Sequence, residues 1–216
     1  DVLFDRILPV LLEKDPEFEL HVFGYNNPVD HLREFYAHIG ARGKSFGDRV
    51  QFKGFLPKDK LYEAYAEGGI YIYPTPSPLM KDFAEVSCIS IMEAQAAGMP
   101  IVTSCRGALS ETLAPGAGAL IGGDPMSDEY RDSFVQAVLD YANGADLYAS
   151  ASRAGIQRAA QLDWSGVARD WTELFSRLLA ENNDSRERLA YHFYRRSDIF
   201  AAQHALEGLD SEAAHN

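Results

Sequence analysis

Two glutamates, Glu85 and Glu93, lie on either side of the start of an apolar segment, and their placement suggests ligand binding. The segment 89–97 is predicted to be helical and is apolar on nearly every side, so it should be largely buried. A glutamate is almost never fully buried without a partner. Glu93 therefore reaches a cleft, meets a cation or a backbone amide, or binds a ligand that brings hydrogen-bond donors.

A sugar diol is one ligand that suits Glu93, because a carboxylate accepts from two hydroxyls in charge-assisted hydrogen bonds. A core arginine or a backbone amide would satisfy the same carboxylate, and these alternatives stay open. Upstream, Ser87 and Cys88 lead into the helix start, where unpaired N–H groups and the helix dipole attract anions. Glu85 lies on the loop side of this opening. The arrangement suits a ligand with a sugar, a diphosphate and a ribose.

Ser87 and Cys88 each have a second interpretation. Ser87 is a plausible N-cap of the following helix, which is a structural role. The thiol of Cys88 has a lowered pKa if the helix start stabilises its thiolate. Otherwise Cys88 is a small residue that packs beside the ligand.

The elements that position these residues alternate between strand and helix patterns. Strands are predicted at 18–23, 50–52, 70–73, 100–104 and 119–121. Helices are predicted at 3–12, 30–41, 61–66, 89–97, 130–141, 147–160 and 164–179. This alternation predicts an α/β fold with a parallel sheet covered by helices on both faces. Ligands bind such sheets at the carboxyl ends of the strands, so the loops after Phe23, Phe52, Tyr73 and Ser104 are the candidate positions.

Composition excludes some classes of partner. The 216 residues carry a formal net charge of −12, which argues against nucleic acid as the main partner. No apolar stretch in the sequence approaches the roughly 20 residues of a membrane span. Cys88 and Cys105 are too far apart in sequence for a redox or zinc pair. A reduced, cytoplasmic setting is therefore expected.

The segment from Glu85 to Ser104 resembles the signature of the group 1 (retaining, GT-B fold) glycosyltransferases. In that family two glutamates bracket seven residues, and an Ala/Gly-rich helix end then leads into a proline and a strand. Further similarities follow in the family's order along residues 1–180: a glycine turn at 23–26, a base-contacting turn at 50–57, a Gly-Gly-x-x-Glu element at 107–111 and a closing helix from 163. Ala108 replaces the second glycine of that element.

The resemblance implies roles for individual residues. Glu93 would hold the ribose hydroxyls, and Glu85, the candidate catalytic residue, would meet hydroxyls of the donor sugar near the reacting centre. Other donor contacts would come from the helix start and from the turns after the first two strands: Ser87, Cys88, Ile89, Gly24, Tyr25, Phe55 and Leu56.

The resemblance also implies an architecture. Residues 1–181 would form the Rossmann-like donor-binding domain, the C-terminal half of a GT-B fold, without its first strand. That strand, with an Arg and a Lys that neutralise the diphosphate, would precede Asp1, as would the acceptor-binding N-terminal domain. Residues 182–216 would form a helical tail or begin a further segment.

The expected reaction is transfer of a sugar from a UDP- or GDP-linked donor, with retention, in polysaccharide biosynthesis. The donor is a substrate, and neither a cofactor nor a metal is expected. Two other functions remain possible: a non-catalytic nucleotide-sugar-binding or assembly module, and a nucleotide-sugar epimerase or hydrolase on the same fold. An epimerase or hydrolase is not expected to carry this glutamate pair.

Overall fold

The computed structural model describes residues 2–24, 33–75 and 83–180, together with the single residues 188 and 192. The chain divides into two compact units, 1–161 and 162–216. The first unit contains the candidate site. The predicted domain boundary at residue 181 stays a prediction.

The described part of the first unit alternates helices and parallel strands, as predicted. The strands are β1 (Leu20–Phe23), β2 (Val50–Gly54), β3 (Tyr71–Tyr73), β4 (Ile101–Ser104) and β5 (Gly118–Ile121). A π-helical segment (Val2–Ile7) continues into α1 (Leu8–Lys14), and a 3-10 turn (Gly47–Arg49) precedes β2. The other helices are α2 (Arg33–Lys44), α3 (Lys58–Ala66), α4 (Ile89–Ala96), α5 (Leu109–Thr112), α6 (Asp128–Asn143) and α7 (Ala145–Gln161).

The strands form two parallel sheets. β1 pairs with β2, with Leu20 opposite Val50, and the second sheet has the order β3-β4-β5. Most element boundaries differ from the sequence prediction by a few residues. α5 was not predicted, because a helix of four residues is too short to show a helical period.

β4 shows that helices cover both faces of its sheet. Successive strand residues point to opposite faces. Ile101 packs in an apolar cluster with Ile91 of α4 and Leu109 of α5. Its neighbour Val102 packs in a different cluster with Phe134 of α6. A strand buried on both faces is the expected partner of helices in an α/β fold, so the predicted fold class is confirmed.

α4 packs closely against α7 because Gly155 of α7 has no side chain. A Cβ atom at this glycine would lie 3.2 Å from the carbonyl oxygen of Gln95 and 3.4 Å from its Cα. The apolar residues Ile91 and Ala94 meanwhile pack towards β4. α4 is therefore enclosed by neighbouring elements, as its apolar composition predicts.

α8 (Trp164–Ala180) belongs to the second unit and matches the predicted final helix. Several of its large apolar residues are exposed: Trp164, Val167, Trp171 and Leu174. The rings of Trp171 and Phe175 meet edge to face at 5.3 Å. The helical tail predicted after residue 182 lies outside the described residues, apart from residues 188 and 192. No helix of the described residues is long and apolar enough to cross a membrane.

The buried side chain of Gln95 joins α4 to the segment after α5. It is 1% exposed, its Oε1 accepts from the Ala114 N–H at 2.9 Å, and its Nε2 donates to the Thr112 carbonyl at 3.1 Å. Gln95→Met leaves these two backbone groups buried and unpaired. We expect it to lower the free energy of unfolding by about 2–4 kcal/mol in urea denaturation.

Gln136→Met is the matched control, because Gln136 is exposed and bonds Asp140 on the surface of α6. It should change the free energy of unfolding by less than about 0.5 kcal/mol. Equal stability of the two variants would contradict the structural role of Gln95.

Candidate functional site

The turns after β1 and β2 lie side by side at the carboxyl ends of these strands. The Gly24 N–H donates to the Gly54 carbonyl at 2.9 Å. Both glycines have positive φ, +75° and +70°, which favours glycine over other residues. Phe55 follows directly and is 76% exposed, whereas Leu56 is half-buried. Tyr25, predicted for this turn, lies outside the described residues.

Glu93 meets a cation in this structure, one of the possibilities that its sequence context left open. Its side chain is 17% exposed, and Lys58 forms a salt bridge with its Oε1. The Tyr62 hydroxyl donates to the same oxygen at 2.9 Å. Both partners come from α3, which begins directly after the turn at 55–57. The predicted ribose contact and the predicted base-contacting turn are therefore neighbours.

Lys58 and Tyr62 were not predicted as site residues. The available signal was their spacing of four positions, which places both side chains on one face of α3. The hydrogen bond with Glu93 is the main cause that raises the pKa of the Lys58 ammonium above its ordinary value. Lys58 therefore stays charged at neutral pH.

Glu85 is half-buried and turns back on its own loop. Its Oε1 accepts from the N–H groups of Val86 at 3.2 Å and of Ser87 at 3.4 Å. Its Oε2 accepts from the Tyr73 hydroxyl at 3.1 Å. The Ser87 N–H, predicted to contact the ligand, is thus engaged by Glu85 in this state.

The start of α4 lacks a side-chain cap. Cys88 is the N-cap residue and makes no side-chain hydrogen bond of the capping type, and the helix begins at Ile89. The alternative of Ser87 as N-cap is therefore wrong. Ser87 and Ile89 are exposed, which leaves this end of α4 open to a ligand.

Cys88 is buried, and burial raises the pKa of its thiol. The interpretation of Cys88 as a low-pKa thiol is therefore wrong. Loss of water around a thiolate is the largest contribution, and it outweighs the hydrogen bonds with the Ser90 hydroxyl and the Ile91 backbone, which lower the pKa. The alternative, a small residue that packs beside the ligand, stays a prediction. Cys88 Sγ lies 3.4 Å from the Ser90 hydroxyl at the start of α4.

Two tyrosines of β3 donate hydrogen bonds to this segment, and neither was predicted as a site residue. Tyr71 donates to the Ser90 hydroxyl at 2.8 Å, and Tyr73 donates to Glu85. Burial is the main cause that raises the pKa of each phenol, so both remain protonated donors at neutral pH. The alternating Tyr-Ile-Tyr pattern could have predicted that both tyrosines point to the same side of the sheet, because residues two apart share one face of a strand.

The loop after β4 fixes the backbone of Glu85. The Ala108 N–H donates to the Glu85 carbonyl at 2.7 Å, and Arg106 Nε donates to the Phe83 carbonyl at 3.0 Å. Gly107 lies between them with φ +58°, and a Cβ atom there would lie 2.4 Å from the Glu85 carbonyl oxygen. The 107–111 element therefore positions the loop that carries Glu85.

Gly107→Ala should displace the Glu85 loop, because the added methyl group collides with rigid backbone. We expect a loss of about 1–3 kcal/mol in the free energy of unfolding. Amide NMR shifts of Val86 and Ser87 should also change. Gly47→Ala is the matched control, since Gly47 has a similar φ of +61° with open space around it. Unchanged Val86 and Ser87 shifts in Gly107→Ala would contradict the positioning role.

The loops after β1, β2, β3 and β4 thus form one candidate site at the carboxyl ends of the strands. The chain was also compared with known proteins. A family model described as glycosyl transferases group 1 matches residues 1–143. Mannosylfructose-phosphate synthase of Agrobacterium fabrum is 28% identical over 172 residues, which are 78% of this chain and 35% of that protein. The chain therefore spans about a third of the length of this curated relative.

Solved structures share the fold. Sucrose-phosphate synthase from Thermosynechococcus elongatus has a TM-score of 0.63 at 21% identity, over 82% of this chain and 42% of that chain. Anabaena Alr3699/HepE, in complex with UDP and glucose, has a TM-score of 0.60 at 17% identity, over 79% and 43%. At these identities the likeness shows the fold alone. The family match covers most of the chain, and the chain belongs to the group 1 glycosyltransferases.

Proposed function

We propose that this chain is the donor-binding domain of a retaining glycosyltransferase that moves a sugar from a UDP- or GDP-linked donor to an acceptor in polysaccharide biosynthesis. The observation that carries the proposal is the placement of Glu85 and Glu93 around the uncapped start of α4. The UDP and glucose in the complex of Alr3699/HepE support a nucleotide sugar as the ligand class. The two cysteines are free thiols, which suits a cytoplasmic enzyme.

The nucleotide would lie along Glu93 and the turn after β2. Glu93 would accept hydrogen bonds from the ribose hydroxyls, and charge-assisted bonds of this kind are among the stronger ones in proteins. The backbone at Phe55 and Leu56 would contact the base edge, close to Gly24. The contact between Gly24 and Gly54 keeps these turns together.

The diphosphate and the sugar would lie at the start of α4. The N–H groups of Ser87, Cys88 and Ile89 would contact them, helped by the helix dipole. Glu85 would release the Val86 and Ser87 amides and accept hydrogen bonds from the sugar hydroxyls. The protein would favour transfer by stabilising the leaving diphosphate while positive charge develops on the sugar. This scheme uses no metal and no cofactor.

We further propose that a parallel strand from the chain before Asp1 completes the sheet between β1 and β3. β1 pairs only with β2, and β3 only with β4, among the described residues. Ile72 of β3 packs against the apolar cluster that contains Leu20 of β1, so the two strands share one core. The added strand would bring the cations that neutralise the diphosphate, and the acceptor domain would precede it.

Glu93→Gln should weaken binding of the cognate nucleotide sugar about tenfold or more in calorimetry with UDP- and GDP-sugars, because it removes a charged acceptor. Glu85→Gln should lower kcat for transfer far more than donor affinity. Glu63→Gln is the control, since Glu63 pairs with Lys60 on the exposed surface of α3. Equal donor affinity in wild type and Glu93→Gln would remove Glu93 from the ribose role.

Donor binding by the full-length protein without transfer to any acceptor would favour a non-catalytic nucleotide-sugar sensor.

The added strand can be tested by hydrogen exchange. Backbone amides at the facing edges of β1 and β3 should exchange more slowly in the full-length protein than in the chain 1–216, since a paired edge excludes water. The amides of β5 serve as the internal control. Equal exchange at β1 and β3 in the two proteins would overturn the proposed strand.

A further inference from the structure

Lys58 and Tyr62 meet one atom, Oε1 of Glu93. The Lys58 ammonium forms its salt bridge with this oxygen, and the Tyr62 hydroxyl donates to it at 2.9 Å. The same ammonium lies 5.6 Å from the centroid of the Tyr62 ring, a cation–π distance. The three side chains therefore support one another.

This geometry gives the two oxygens of the Glu93 carboxylate different roles. An oxygen of a carboxylate has two lone pairs, and on Oε1 both are used. Oε2 receives no hydrogen bond from the residues that the structure describes. An incoming hydroxyl therefore finds Oε2 as the acceptor, in an orientation that the α3 side chains determine.

The Lys58–Glu93 pair differs from an ordinary surface salt bridge. The side chains of Lys60 and Glu63, on the same helix, are 57% and 63% exposed. Pairs of that kind contribute about 0–1 kcal/mol and fix neither side chain firmly. Lys58 is also 63% exposed, and the difference lies in Glu93. Glu93 is only 17% exposed and stands on the enclosed helix α4, so its carboxylate has few waters to replace a lost partner. The orientation of Glu93 thus depends on α3.

We infer that Lys58 and Tyr62 are positioning residues for the nucleotide: they hold Oε1 of Glu93 and present Oε2 to a ribose hydroxyl of a nucleoside diphosphate. The inference rests on the proposed ribose role of Glu93. It assigns selectivity for ribose over deoxyribose to a contact between two helices. Lys58 acts through Glu93 and does not touch the ligand.

The test compares UDP with 2′,3′-dideoxy-UDP, and GDP with its dideoxy form, on the full-length protein by calorimetry. High salt screens any long-range attraction between Lys58 and the diphosphate. Lys58→Met keeps the aliphatic stem and removes the charge. Lys60→Met removes a charge from the same helix and is the matched control. Lys58→Arg should keep most of the affinity, because it restores a donor to Oε1.

In wild type we expect the ribonucleotide of the cognate base to bind about tenfold or more tightly than the dideoxy form. Lys58→Met should weaken ribonucleotide binding about five- to tenfold and dideoxynucleotide binding less than twofold, with an unchanged melting temperature. Tyr62→Phe should reduce the same preference to a smaller extent. Lys60→Met should change neither affinity.

The outcomes separate the two claims. If wild type binds ribo- and dideoxynucleotides equally, the ribose role of Glu93 fails and this inference falls with it. If wild type discriminates but Lys58→Met weakens both ligands equally, Lys58 contacts the diphosphate directly and only the positioning role is overturned. If Lys58→Met leaves both affinities unchanged, the salt bridge is structural and the inference is again wrong.

Discussion

The enclosure of α4 is the constraint on which the candidate site depends. This helix packs on β4 through Ile91 and against α7 through the close approach at Gly155. Such packing fixes where the helix starts and which side chains reach the ligand face. Core packing therefore positions the backbone of Glu93, and the 107–111 element fixes the Glu85 loop beside it. Binding residues that stand on a rigid helix are positioned more precisely than binding residues on loops.

A second constraint is electrostatic. The chain carries a net charge of −12 and is proposed to bind a ligand with a negative diphosphate. The two carboxylates of the site are both held by donors, Glu85 by Tyr73 and two amides, and Glu93 by Lys58 and Tyr62. Hydrogen bonds of this kind spread the negative charge before the ligand arrives. The site can thus accept an anion inside an acidic protein.

The sequence allowed prediction of the parts of the fold and site that depend on local patterns. Helices and strands followed from apolar periodicity, and the Glu85–Glu93 segment followed from a motif that is continuous in the chain. The partners of these glutamates were not predictable in the same way. Lys58 lies 35 positions from Glu93, and only the packing of α3 beside α4 brings them together. The raised thiol pKa of Cys88 likewise depends on burial by distant residues.

Among the residues that the structure describes, β1 pairs only with β2 and β3 only with β4, and this has a consequence for the behaviour of the domain in solution. An open strand edge is a row of backbone donors and acceptors that can pair with any extended chain. In a preparation of this domain alone, another copy is the most abundant such chain. Preparations of this domain alone would therefore tend to self-associate. Such oligomers would result from the pairing of open strand edges and would not represent a biological assembly.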